Sequence, residues 1–172
     1  MKEKNKIVVF IAVMVVLFIA LFVYAKPGKT ENKKLDVIEN QSLDISALKA
    51  SETFYDFGTI SMKNGDVSKT FKVTNGANTD ILIPSLTTSC MCTKAYFIES
   101  DGRKKGPFGM PGMGVVPKLN KTIKTGESAD VEVVYDPNAH GPAGVGKIDR
   151  FVYLEDANGN KIQFEIKANV TP

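Results

Sequence analysis

Short runs of β-branched and aromatic residues, separated by Gly, Asn, Asp and Pro clusters, predict an all-β fold for residues 51–172 of this 172-residue chain. No long 3.6-residue period competes with that reading. An uncharged apolar run at 7–24 predicts one N-terminal transmembrane helix ahead of the domain. Candidate strands are 53–57, 68–74, 80–84, 94–98, 129–135, 148–155 and 161–170. The last shows the period of two most cleanly. Ile162, Phe164, Ile166, Ala168 and Val170 take one face, and Gln163, Glu165, Lys167 and Asn169 the other. The turn Asp156-Ala157-Asn158-Gly159-Asn160 precedes it, with Asn158 and Gly159 suited to positive φ. About seven short strands with regular turns argue for two packed antiparallel sheets, a sandwich of immunoglobulin type. Both cysteines sit in one segment, which excludes the inter-sheet disulfide of antibody domains.

As a helix, residues 7–24 span about 27 Å, close to the roughly 30 Å of bilayer hydrocarbon. Lys2, Lys4 and Lys6 precede the run, and Lys26, Lys29, Lys33 and Lys34 follow it, so charge alone does not orient it. A first segment of this kind is exported like a signal sequence, which puts the tail 1–6 in the cytoplasm and the domain outside. The run exceeds the roughly 7–15 residues of a signal h-region, which favours a retained anchor. Val23-Tyr24-Ala25 resembles a small-x-small cleavage site, so secretion after cleavage is the alternative. Residues 25–50 read as a Lys-, Glu-, Asn- and Ser-rich stalk whose last apolar residues can dock on the domain as a short strand. Beyond Ala25, without Lys2, Lys4, Lys6 and Glu3, the chain has 19 basic and 18 acidic side chains. That near-neutral balance gives no electrostatic case for nucleic acid.

Tyr55-Asp56-Phe57-Gly58-Thr59-Ile60, Lys69-Thr70-Phe71-Lys72-Val73-Thr74-Asn75 and Ser89-Cys90-Met91-Cys92-Thr93 follow one another along the chain. Gly126-Glu127, the run 131–135 and Asp136-Pro137 continue the series. In these motifs the chain resembles the bacterial family of unknown function numbered 1573, over roughly 53–170. The resemblance implies an immunoglobulin-like sandwich of surface or periplasmic type, and no activity. The chain departs from the family's Ser-Cys-Gly-Cys-Thr pattern by carrying Met91, a third sulfur, and by an insertion at 101–117.

Cys90 and Cys92 are the only cysteines. Thiols this close point to sulfur chemistry, because stapling disulfides join distant parts of a chain. In an extended segment they project to one side with Cα atoms about 6.6 Å apart. That is the upper edge of the disulfide range of about 4.4–6.8 Å, so a bond would need local bending. Two thiolates converging on one ion need less distortion. Thiolate and thioether ligands suit Cu(I), with imidazole as a further donor. Structural zinc wants four Cys or His ligands, and the chain has three. The remaining candidate ligands are Met113, His140 and Met110, with Met91 in reserve. Met110 and Met113 lie in the Gly/Pro-rich loop 106–114, and His140 in a second such loop, 138–144. Met113 ranks ahead of Met110 because Gly112 and Gly114 flank it and permit close backbone approach. Sandwich loops cluster at two ends, so these residues can meet.

Plainer readings stand beside the metal. The cysteines can be small hydrophobes or a disulfide without catalytic role, the methionines gap fillers, and His140 an ordinary loop residue. Thiol–disulfide exchange is a third reading, although the Cys-x-x-Cys at a helix N-terminus of such enzymes is absent. Arg103-Lys104-Lys105 reads as a solvated turn, with an acidic partner as the alternative. No phosphate loop, dinucleotide fingerprint or Gly-x-Ser-x-Gly element occurs. A Cys–His nucleophile pair lacks an orienting residue, and Asp136, Asp149 and Asp156 read as turn residues. The sequence therefore predicts a non-enzyme. It is either a tethered protein holding copper outside the cytoplasm, or a structural module presenting its surface to an envelope partner.

Overall fold

The structure, a computed structural model, describes residues 47–172 and the single position Met14. The tail 1–6, the expected transmembrane run at 7–24 (Met14 apart) and the stalk to 46 lie outside the described residues. Among those described, no helix is long and apolar enough to cross a membrane.

The strands are β1 (Leu48–Ala50), β2 (Phe54–Ser61), β3 (Val67–Asn75), β4 (Ile81–Ile83), β5 (Ser85–Thr88), β6 (Thr93–Ile98), β7 (Lys104–Phe108), β8 (Lys121–Ile123), β9 (Ser128–Tyr135), β10 (Gly146–Glu155) and β11 (Lys161–Thr171). One sheet has the order β1-β3-β9-β6-β7, the other β2-β11-β10-β5, and β4 pairs with β8 in a small ribbon. The period of two builds the core between the sheets. Ala129, Val131, Val133 and Tyr135 are buried on β9, and Phe164, Ile166, Ala168 and Val170 on β11. Ile162 is partly buried and packs against them. Phe71 of β3 stacks on Phe164 of β11 with ring centroids 4.8 Å apart, which ties one sheet to the other.

The all-β sandwich expected from the strand pattern is present, and Leu48–Ala50 docks on β3 as the end of the stalk was expected to do. Three differences stand out. Among the described residues there are eleven strands where about seven were expected. Pairing is not wholly antiparallel, because β2 runs parallel to β11. In the β10–β11 turn only Gly159 takes positive φ, at 85°. Asp156, not Asn158, organises this turn, its carboxylate accepting from the Asn158 and Asn160 backbone N–H groups.

The expected insertion is partly structured. Lys104 and Lys105 belong to edge strand β7 instead of a solvated turn. Lys104 pairs with Glu132 and lies over the Tyr96 ring, 4.1 Å from its centroid. Lys105 donates to the carbonyls of Lys118 and Leu119. Gly106 is required here: a Cβ would stand 2.8 Å from the Tyr96 ring and 2.9 Å from the Ala95 carbonyl.

Sheet changes determine what gathers at one corner. The chain passes from the four-stranded to the five-stranded sheet between β5 and β6, through Ser89–Cys92. It returns between β9 and β10, through the segment holding His140. These crossings lie side by side, because Thr93 pairs with Tyr135 and the Asp136 N–H donates to the Cys92 carbonyl at 2.9 Å.

Candidate functional site

The cysteine segment is a turn and not an extended strand. Thr93 N–H donates to the Cys90 carbonyl at 3.1 Å, and Thr88 Oγ1 donates to the same carbonyl at 3.0 Å. The Cα atoms of Cys90 and Cys92 are consequently 5.3 Å apart, well inside the range a disulfide needs. The bending that such a bond requires is therefore built into the crossing between the sheets. Their sulfurs lie at disulfide distance, and neither cysteine is free.

The two sulfurs differ in surroundings. Cys92 is buried, at 1% exposure, and Cys90 is half-buried. The Cys92 N–H donates to Cys90 Sγ at 3.4 Å. Nε2 of exposed His140 lies 3.2 Å from Cys90 Sγ. On the other side, Arg150 Nε donates to Cys92 Sγ at 3.2 Å, while its Nη1 donates to the Asp149 carbonyl at 2.8 Å.

His140 reaches the pair because its loop is tightly wound. Asp136 starts it, with Oδ1 accepting from the Asn138 N–H at 2.7 Å. Asn138 Nδ2 then donates to the Met62 carbonyl at 2.9 Å, holding the loop against the β2–β3 connection. The Gly141 N–H donates to the Asn138 carbonyl, and His140 enters the 3-10 turn Gly141–Gly144. A Cβ at Gly144 would press on His140 Cβ at 3.3 Å, so this position favours glycine. The result is a cluster whose ligand atoms, from Cys90, Cys92 and His140, lie within 4.8 Å of one another.

Arg150 escaped the sequence reading, although a signal was present. Ile148, Val152 and Leu154 are buried on β10, and Arg150 shares their register. A charge in a core-facing register demands a partner. Strand β5 stops opposite Val152, which leaves room for the cysteine turn and for the guanidinium. Of the expected methionines, Met113 is exposed at 58% and Met110 is half-buried. Their loop departs from the same corner, because the Thr88 N–H donates to the Gly109 carbonyl at 3.1 Å. The structure thus joins Cys90, Cys92 and His140, and leaves the methionines as neighbours of that corner.

Tyr135 lines this end of the core. Burial pushes its phenol above the ordinary value of 10.0, and Asp136 adds to the rise, while Arg150 pulls the other way. The raised group contributes stability that is fully present below the unfolded value and is lost as pH rises from about 10 through the folded one. Unfolding free energy is therefore expected to fall above pH ~10, less steeply in Tyr135→Phe. Denaturant titrations of both proteins at several alkaline pH values check this; equal slopes would refute it.

The model of the family described as "Protein of unknown function (DUF1573)" matches residues 48–105. The likeness to the family is thus shown for this segment, about a third of the chain. The match covers β1 to β6, includes the Cys90–Cys92 turn, and ends within the stretch expected as an insertion. The DUF1573 segment therefore supplies the cysteines, whereas His140 and Arg150 come from beyond it. No curated protein matches the chain. Among solved structures, a protein of unknown function from Porphyromonas gingivalis W83 is similar, at 15% identity and a TM-score of 0.50. The likeness covers 71% of this chain and 46% of that one, and it is a likeness of fold alone. This chain thus spans less than half of that relative's length. The PapD-like domain 7 of human CEP192 is similar at 11% identity and a TM-score of 0.48, covering 79% of this chain and 94% of that one.

Proposed function

We propose that residues 47–172 form an immunoglobulin-like domain outside the cytoplasm, tethered by residues 7–24, that binds one Cu(I) through Cys90, Cys92 and His140 when the cysteines are reduced. The observation that carries this reading is the cluster of three soft or borderline ligand atoms within 4.8 Å. With metal–sulfur bonds near about 2.3 Å, ligand atoms around one ion stand roughly 4 Å apart. Reduction removes the sulfur–sulfur bond that holds the pair closer than that spacing. Two thiolates and an imidazole fit Cu(I), whereas a structural zinc site wants a fourth Cys or His. Arg150 offsets the negative charge of two thiolates on a monovalent ion. Met113 and Met110, on a loop that starts beside Thr88, stay outside this three-ligand set. The role is binding, without catalysis.

A second reading has its own support. The sulfurs lie at disulfide distance, which suits an oxidising compartment. The domain would then present its surface to another envelope protein and hold no metal. Native mass spectrometry of the full chain, reduced and given Cu(I), with thiols counted in parallel, separates the two. One Cu(I) per chain with two titratable thiols supports the metal site. Two thiols and no retained Cu(I) would leave the structural reading.

The tether carries a prediction of its own. A reporter that works only outside the cytoplasm, fused after Pro172, is expected to be active, with the fusion in the membrane fraction. Activity confined to a cytoplasmic reporter would overturn the topology. A soluble, shortened product would instead mark secretion after cleavage near Ala25.

A further inference from the structure

The surroundings of the two sulfurs are unequal, and the inequality has a chemical consequence that needs no metal. Cys90 is half-buried at the mouth of the turn, while Cys92 is sealed in the core. Arg150 Nε points at Cys92 Sγ, at 3.2 Å, and the Thr93 hydroxyl lies 3.7 Å from the same sulfur. A disulfide is cleaved by a thiolate arriving along the sulfur–sulfur axis, from the side opposite the leaving sulfur. Of the two sulfurs, that of half-buried Cys90, beside exposed His140, is the one solvent reaches. Cys92 is the sulfur whose developing negative charge meets a guanidinium.

We infer that Cys90–Cys92 is a directional thiol–disulfide exchange site, in which a thiol reductant attacks Cys90 and Cys92 departs as the thiolate facing Arg150. In the first step, the reductant's thiolate forms a bond to Cys90 Sγ as the Cys90–Cys92 bond breaks. The electron pair of the broken bond goes to Cys92 Sγ. If the reductant is a dithiol, its second thiolate attacks its own sulfur in the mixed disulfide, closes the reductant's disulfide and returns an electron pair to Cys90. The dithiol loses two electrons, the cysteine pair gains them, and the dithiol's two protons pass to the cysteines or to solvent. Arg150 is a positioning residue that stabilises the departing sulfur. Met91, between the two cysteines and 50% exposed, offers a protein dithiol an apolar contact.

The test uses the oxidised full chain in detergent with a copper chelator present, so its outcome is independent of the Cu(I) reading. Reduced glutathione is added, the reaction is quenched by iodoacetamide, and fragment mass spectra locate each modification. Glutathione is expected on Cys90 and the alkyl group on Cys92, exceeding the reverse pattern by about tenfold or more. Given oxidised glutathione instead, Cys92→Ser is expected to form the mixed disulfide at Cys90 with release of reduced glutathione, and Cys90→Ser to form its own at Cys92 much more slowly. Arg150→Gln is expected to slow reduction by dithiothreitol about tenfold, with Arg150→Lys recovering most of the rate. Circular dichroism establishes that each variant is folded. If Arg150→Gln is not, the Arg150→Lys rate and the wild-type labelling pattern decide. Equal labelling of both cysteines, or preferential attack at Cys92, would overturn the inference, as would an Arg150→Gln protein reduced at the wild-type rate.

Discussion

Replacing Phe164 by alanine is expected to cost on the order of 3–5 kcal/mol of folding free energy. Phe164 lies on β11, which is flanked by β2 and β10, and only 1% of it is exposed. Its ring stacks on Phe71 of the facing sheet, so truncation removes burial and a ring contact together. Strand β11 pairs with β10 from Gly146 to Glu155, which restrains the backbone from closing over the lost volume. A cavity should persist, and that places the cost toward the upper end. Phe54, on edge strand β2 and 49% exposed, is the control. Its alanine variant should lose no more than about 1 kcal/mol. Urea unfolding midpoints compare the variants, and a loss below about 1 kcal/mol at Phe164 would refute the packing described here.

The second large effect concerns the site. Replacing both Cys90 and Cys92 by serine is expected to weaken Cu(I) binding by at least about a hundredfold, because neutral hydroxyls do not replace soft thiolates. The fold should survive that change. Closing a loop this short is worth only about 1.5 kcal/mol in chain entropy, less than the burial of Phe164 alone. The pair is therefore too close in sequence to act as the domain's main staple. Competition against a chromogenic Cu(I) chelator, with circular dichroism alongside, measures both quantities. A folded double-serine protein that holds Cu(I) as tightly as the wild type would remove the cysteines from the site.

Sequence pattern reached the sandwich where alternation was regular. On β11 it selected Phe164, Ile166, Ala168 and Val170, all buried. It missed β5, where Leu86 stands among Ser85, Thr87 and Thr88 and the alternation has one apolar member. It missed β7 because Lys104-Lys105-Gly106-Pro107 has the composition of a turn, whereas ion pairing and an edge position stabilise it as a strand. Strand direction is not encoded in a period of two, so the parallel β2–β11 pairing was invisible. At the site, residue chemistry was legible and geometry was not. Cys90, Cys92 and His140 could be named from their types, yet their meeting depends on two sheet crossings fixed by long-range pairing. The 5.3 Å Cα separation arises from a turn that the extended reading did not contain. Arg150 was legible in principle, as a charge in the register of Ile148, Val152 and Leu154.

X-ray absorption at the copper edge, on the reduced full chain loaded with one equivalent of Cu(I), tests the ligand set directly. The expected spectrum has two sulfur scatterers and one imidazole nitrogen, with the nitrogen lost in His140→Ala and the sulfurs lost in the double-serine protein. A first shell without sulfur, or one that neither substitution changes, would contradict a Cu(I) site at Cys90, Cys92 and His140.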